Sequence, residues 1–101
     1  MGLNTTHDCW NGSYSSFYRW RLALAQALII ENKVILNDPL DELMQHSDCD
    51  GDIKHENCEA IANRLSELFP LLSDVEEKNR TSQFIAGLKI ASKMKENVEF
   101  M

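Results

Sequence analysis

The chain lacks what a membrane-spanning or secreted protein needs. No apolar stretch approaches the roughly 18 residues that cross a bilayer; the longest, Leu22 to Ile30, is interrupted by Gln26. Met1 to Asn4 has neither the basic start nor the apolar run of a signal peptide, so no membrane association and a cytoplasmic location are expected. Three cysteines, Cys9, Cys49 and Cys58, are too few and odd in number for a disulfide framework, and reduced thiols are expected. Ten basic residues against sixteen acidic ones give a formal charge of −6. That leaves no cationic surplus with which to coat extended nucleic acid. Internal repeats, low-complexity segments and Cys-x2-Cys pairs are absent from the sequence.

What is there describes one globular domain. At 101 residues, 44% hydrophobic and 26% charged, the chain can bury a single core without a metal or disulfide. Charge and aromatics are unevenly placed. Residues 37–63 carry Asp38, Asp41, Glu42, Asp48, Asp50, Asp52, Glu56 and Glu59 against Lys54 alone. Trp10, Tyr14, Phe17, Tyr18 and Trp20 crowd the N-terminal part, with Arg19 and Arg21 among them.

Apolar periodicity predicts a mainly α fold of about four helices, with a minor two-stranded β element. Residues 1–12 read as an irregular lead-in closed by an Asn11-Gly12 turn. A first helix starts after Ser13 or Ser15 and runs to about Ile30, with Phe17, Trp20, Leu24 and Ala27 on one face. Asp38-Pro39 opens a short second helix. A third spans about Glu56 to Phe69 on a stripe of Cys58, Ile61, Ala62, Leu65 and Leu68, with Arg64 outside it. A fourth runs from about Asn79 to Lys95. The alternation in Glu96 to Phe100 predicts a short strand that could pair with Val34 to Leu36.

The sharpest motif is His46-Ser47-Asp48-Cys49-Asp50-Gly51-Asp52-Ile53. Carboxylates alternating around a glycine let a tight turn aim several oxygens at one point, the way a hard divalent cation is held. Counted from His46, Asp48, Asp50, Gly51 and Ile53 fall on the third, fifth, sixth and eighth places of a calcium loop. His46 in first place and Asn57 in twelfth both depart from that pattern and would weaken calcium. The same residues match the His-x-Asp-x-Asp-Gly pattern with which DHH-type phosphoesterases hold manganese, without the larger α/β scaffold that carries it there. Zinc would use His46-x2-Cys49, with His7-x-Cys9 and His55. The alternative without a metal is a helix cap whose aspartates bond the backbone. If the site is a metal site, His46, Asp48 and Asp50 are its ligands and a divalent metal its cofactor.

The second constellation is Thr6-His7-Asp8-Cys9-Trp10 with Tyr14, Tyr18 and Arg21. Aromatic rings beside a guanidinium suit a base and its phosphate, and Ser13, Ser15 and Ser16 at a helix start add anion-binding donors. The structural alternative is core aromatics flanked by solvated arginines. A Cys9–His7 nucleophile is disfavoured, because residues two apart in a loop seldom bring imidazole and sulfur into line.

Gly2-Leu3, Thr6 to Trp10, Gly12, Tyr14-Ser15, Phe17 and Trp20-Arg21, followed by His46 to Gly51 and by Phe84-Ile85 and Gly87-Leu88, resemble a group of short proteins of unknown function. Bacteriophages, prophages and mobile elements encode that group. The likeness covers most of the chain and implies a bacterial cytoplasm, with no catalytic assignment. The expectation is an accessory protein that binds a small polar or nucleotide-like ligand through His7, Asp8, Trp10, Tyr14, Tyr18 and Arg21, next to a loop of His46, Asp48 and Asp50. Such a protein would sequester a host defence signal without turnover. Two other classes remain open: a metal-dependent phosphoester hydrolase on His7, Asp8, His46, Asp48 and Asp50, and an inhibitor that covers a host protein with the acidic face from Asp38 to Glu59. A homo-oligomer with its pocket between subunits fits any of these.

Overall fold

A computed structural model of the chain describes residues 2–33, 35–46 and 51–101. It begins with an antiparallel pair, β1 (Gly2–Asn4) and β2 (Asn11–Ser13), in which Leu3 faces Gly12. The lead-in is therefore a hairpin, and Asn11-Gly12 belongs to its second strand. The turn falls earlier, at the 3-10 segment Thr6–Asp8. Trp10 N–H donates to Thr5 Oγ1 at 2.9 Å and Thr5 N–H to Trp10 O at 3.0 Å, closing the loop.

Helix α1 (Tyr14–Glu31) follows directly. Ser13 Oγ accepts from Ser16 N–H at its start, and Asn32, with φ 55°, ends it in the left-handed conformation that a short polar side chain tolerates. Phe17, Trp20, Ala23, Leu24 and Ala27 form its buried face. Tyr18, Leu22 and Ile29 lie exposed on the other side. Short helix α2 (Leu40–Met44) starts where Asp38 Oδ1 accepts Leu40 N–H at 2.9 Å.

Helix α3 (His55–Leu68) buries the expected stripe, and Arg64 with it. Sequence periodicity placed Arg64 outside. It is instead 4% exposed, its guanidinium shared among Glu31, Asp38 and Glu67 at 2.6–3.0 Å. A 3-10 turn, Phe69–Leu71, leads towards α4 (Val75–Met94), which packs along α3. Helix α4 starts a turn earlier than expected because Asp74 caps it, Oδ1 accepting Glu76 N–H at 2.8 Å.

The second strand pair joins β3 (Asp52–Ile53) to β4 (Val98–Glu99), antiparallel, with Ile53 opposite Val98. β4 thus pairs with the segment after Gly51, and Ile35 and Leu36 of the expected partner run Val34 to Leu36 form no strand with it. Val34 lies outside the described residues, and Ile35 and Leu36 are exposed. The C-terminal strand also reaches the first hairpin: Thr5 bridges Phe100, and Met101 N–H donates to Asn4 O at 2.8 Å.

Core and hairpin meet on α4. Cys9 packs where Gly87 has no side chain; a Cβ there would fall 2.4 Å from Cys9 Sγ and 2.7 Å from His7 O. Trp10 and Phe17 meet edge to face at 5.1 Å, and Trp20 stacks on Phe84 at 4.9 Å. The fold is mainly helical, and no helix among the described residues is long and apolar enough to cross a membrane.

Candidate functional site

The hairpin turn, β3 and the approach to β4 enclose an open groove of about 530 Å³ lined by Thr6, His7, Asp52, Glu96, Asn97 and Glu99. His7 and Asp8 hold positive φ angles of 59° and 58° in succession, and the His7 carbonyl lies on α4 while its largely covered ring borders the groove. His7 Nε2 reaches Glu96 Oε1 at 2.8 Å, and its Nδ1 reaches Thr6 Oγ1 at 3.0 Å. The Thr6 hydroxyl accepts Glu99 N–H at 2.9 Å. These partners suit the tautomer with its proton on Nε2: the hydroxyl gives its own proton to Nδ1 and Nε2–H donates to the carboxylate.

Across the groove, Asp52 Oδ2 accepts from Lys54 Nζ at 3.2 Å and from Asn97 Nδ2 at 3.0 Å. The hydrogen bond from Lys54 holds the Asp52 carboxyl below its usual value; burial opposes it, and the Asn97 hydrogen bond adds a lesser downward pull. Asn97 is fixed in turn, its Oδ1 accepting His55 N–H at 2.9 Å. Asp52, Asn97, Thr6 and Glu96 thus each present a side-chain oxygen held by a neighbouring residue.

His46 lies behind this wall. Its ring stacks on Phe100, centroids 4.0 Å apart, and Nε2 donates to Asp52 O at 3.1 Å. Gly51, at φ 92°, turns the chain beside that imidazole, a conformation that favours glycine. Arg21 Nη1 donates to His46 O at 2.8 Å and lies within 3.5 Å of Leu43 O and Met44 O, so a cation closes the C-terminus of α2. Arg21 also covers the Phe17 ring at 4.5 Å.

Of the described residues expected to line one pocket, only His7 borders the Asp52 groove, while Arg21 holds the backbone carbonyl of His46. Trp10 turns into the core. Asp8 is exposed, and its carbonyl accepts Gln83 Nε2 at 2.9 Å. Tyr14 packs half-buried against the core, and Tyr18 is 57% exposed on the outer side of α1. Asp48, Asp50 and Cys49 lie outside the described residues. Among the described residues no three His, Cys, Asp or Glu side chains are grouped as a metal ion would require. Cys9 and Cys58 are buried, and burial pushes their thiols up from the ordinary 9.0 to about 12 and about 11. Neither is a ready nucleophile at neutral pH.

A second, smaller pocket of about 160 Å³ opens between the first turns of α1 and α4, floored by Trp10 and Trp20. Arg80 lies over the Trp10 ring at 4.5 Å and donates to Asn11 O at 3.1 Å. Periodicity missed Arg80, Glu96, Asn97 and Glu99 because each gains meaning only from a residue far away in the chain. The one usable signal was the cation Arg80 on a helix that must face the aromatic segment. No family model, curated protein or solved structure matches this chain, so both sites are read from its own side chains.

Proposed function

We propose that the protein binds a small, polar, nucleotide-like molecule in the groove of Thr6, His7, Asp52, Glu96, Asn97 and Glu99. In this reading it is a cytoplasmic accessory protein of phage or mobile-element origin that holds a bacterial host's nucleotide signal. The observation that carries the proposal is the convergence of His7 and Asp52, from the two separate polar segments, on one groove of about 530 Å³. That volume falls within the ordinary range of small-molecule sites, roughly 300–1,000 Å³. Two consecutive left-handed residues, His7 and Asp8, are a further support, since such backbone persists where a side chain must be aimed.

Carboxylates alone repel phosphate, so the ligand's phosphates would arrive with a divalent cation. Magnesium commonly takes only one or two protein carboxylates and completes its shell with phosphate and water. A wall with Asp52, Glu96 and Glu99 is suited to that role without a three-residue metal cage. Titration calorimetry of the full chain against mono- and cyclic dinucleotides, with magnesium and then with chelator, tests the reading. Heat with magnesium that disappears in chelator is expected, as is a loss of about tenfold or more in affinity for Asp52→Asn. Zero heat across the panel overturns the proposal.

A further inference from the structure

Helix α1 is apolar even on the side that no described residue covers. Phe17, Trp20, Leu24 and Ala27 turn to the core, yet on the opposite side Tyr18 is 57%, Leu22 45%, Ile29 77% and Ile30 63% exposed. A helix that merely borders solvent carries polar residues there. At roughly 200 Å² for a large residue, these four leave on the order of 500 Å² of largely apolar surface open. That is enough for the core of an interface that takes about 800 Å² from each partner.

The spacing says what fits the face. Tyr18, Leu22, Ala25 and Ile29 follow one another at intervals of four, three and four. The pattern reads the same in both directions, as a contact between identical patches about a twofold axis requires. Laid antiparallel on a second copy, Tyr18 meets the partner's Ile29 and Leu22 meets the partner's Ala25. The small alanines then let the two helices approach closely at the middle of the contact.

Charge selects the same partner. The chain carries a formal charge of −6, but from Asn11 to Ile30 it has no acidic residue. Two copies can therefore meet on α1 without setting carboxylate against carboxylate. Helix α1 also lacks an acidic residue in its first turn and a basic one in its last, whereas α2, α3 and α4 each carry a charge that suits their dipole. In the antiparallel pair each exposed Arg19 lies beside the last turn of the second copy's α1, where the carbonyl ends draw a cation.

We infer that the outer face of α1 is the interface of a homodimer, in which two copies pack α1 antiparallel through Tyr18, Leu22, Ala25 and Ile29. The groove of His7 and Asp52 is built from other elements, so the two readings stand or fall separately.

Sedimentation equilibrium of the full chain from about 5 to about 500 µM tests the interface. A mass approaching twice the monomer's 11.6 kDa is expected. Leu22→Glu and Ile29→Glu, both at exposed positions, are each expected to weaken the dimer about tenfold or more while the circular dichroism stays that of the parent. To read the direction, chains carrying Cys49→Ser with either Tyr18→Cys or Ile29→Cys are mixed and oxidised. The disulfide between positions 18 and 29 is expected to exceed both symmetric products. A mass that stays at 11.6 kDa at the highest concentration overturns the inference. If that monomer floats with anionic phospholipid vesicles, a lipid surface covers the face instead. Undiminished dimer in both glutamate variants, or an excess of the symmetric disulfide at position 18, overturns it as well.

Discussion

Gly87 decides whether the hairpin can dock. Its missing Cβ is the space that Cys9 Sγ, Cys9 Cα and His7 O occupy at 2.4, 3.0 and 2.7 Å from the ideal Cβ position, and two of those neighbours are backbone. Gly87→Ala is expected to destabilise the protein by about 3 kcal/mol, read as a lower urea midpoint. Cys9 itself gives a pH dependence. Its thiol ionises near the ordinary 9.0 in the unfolded chain, while burial delays it to about 12 in the folded one. Between those values the unfolded state holds fewer protons, so stability falls as pH rises, by up to ~1.4 kcal/mol per pH unit for this one group. Cys9→Ala is expected to remove that part of the slope, measured as urea midpoints between pH 8 and pH 11.

Among the elements, the helices were legible and their partners were not. Ser13, Asp38 and the Cys58-to-Leu68 stripe marked starts and faces in the sequence because caps and periodicity act within a few residues. The start of α4 was misplaced because Asp74 read as part of a loop, although an aspartate preceding Glu76 and Glu77 is a helix start. Arg64 was misread for a different reason: its burial depends on Glu31 and Asp38, from other elements. That cluster ties the end of α1 and the start of α2 to α3. Arg64→Ala leaves two nearly buried carboxylates facing each other and is expected to cost about 3–5 kcal/mol. Its hydrogen bond to Arg64 holds the Glu31 carboxyl below its ordinary 4.5. The stability it contributes is present above that value and lost as pH falls through its folded-state value. Thermal melts from pH 6 down to pH 3 are expected to show a shallower acid decline in Arg64→Ala than in the parent. Asp74→Ala, which removes only a cap, is expected to cost about 1 kcal/mol.

At the scale of the molecule, the C-terminal residues hold the two motif-bearing loops in register. Phe100 stacks on His46, meets Phe17 at 6.0 Å, and its N–H donates to Gly51 O at 3.0 Å. Glu99 and Met101 bind the hairpin through Thr6 and Asn4. The groove was illegible for this reason: its walls come from the first turn, the segment after Gly51 and the tail, and a strand pair of two residues leaves almost no periodic signal. Removing residues 98–101 is expected to strip hydrogen-exchange protection from residues 2–13 and 51–53 together while α3 and α4 retain theirs. If protection is lost in only one of the two segments, the tail does not couple them. The clasp also sets an order of events in the cell. The hairpin precedes its partners in chain order, so its seat on Gly87 and its backbone bond from Met101 cannot form until those later residues are made. Until those residues are made, Leu3, Cys9 and Trp10, buried in the finished fold, lack the surfaces that cover them, which is the kind of exposed apolar surface that favours aggregation.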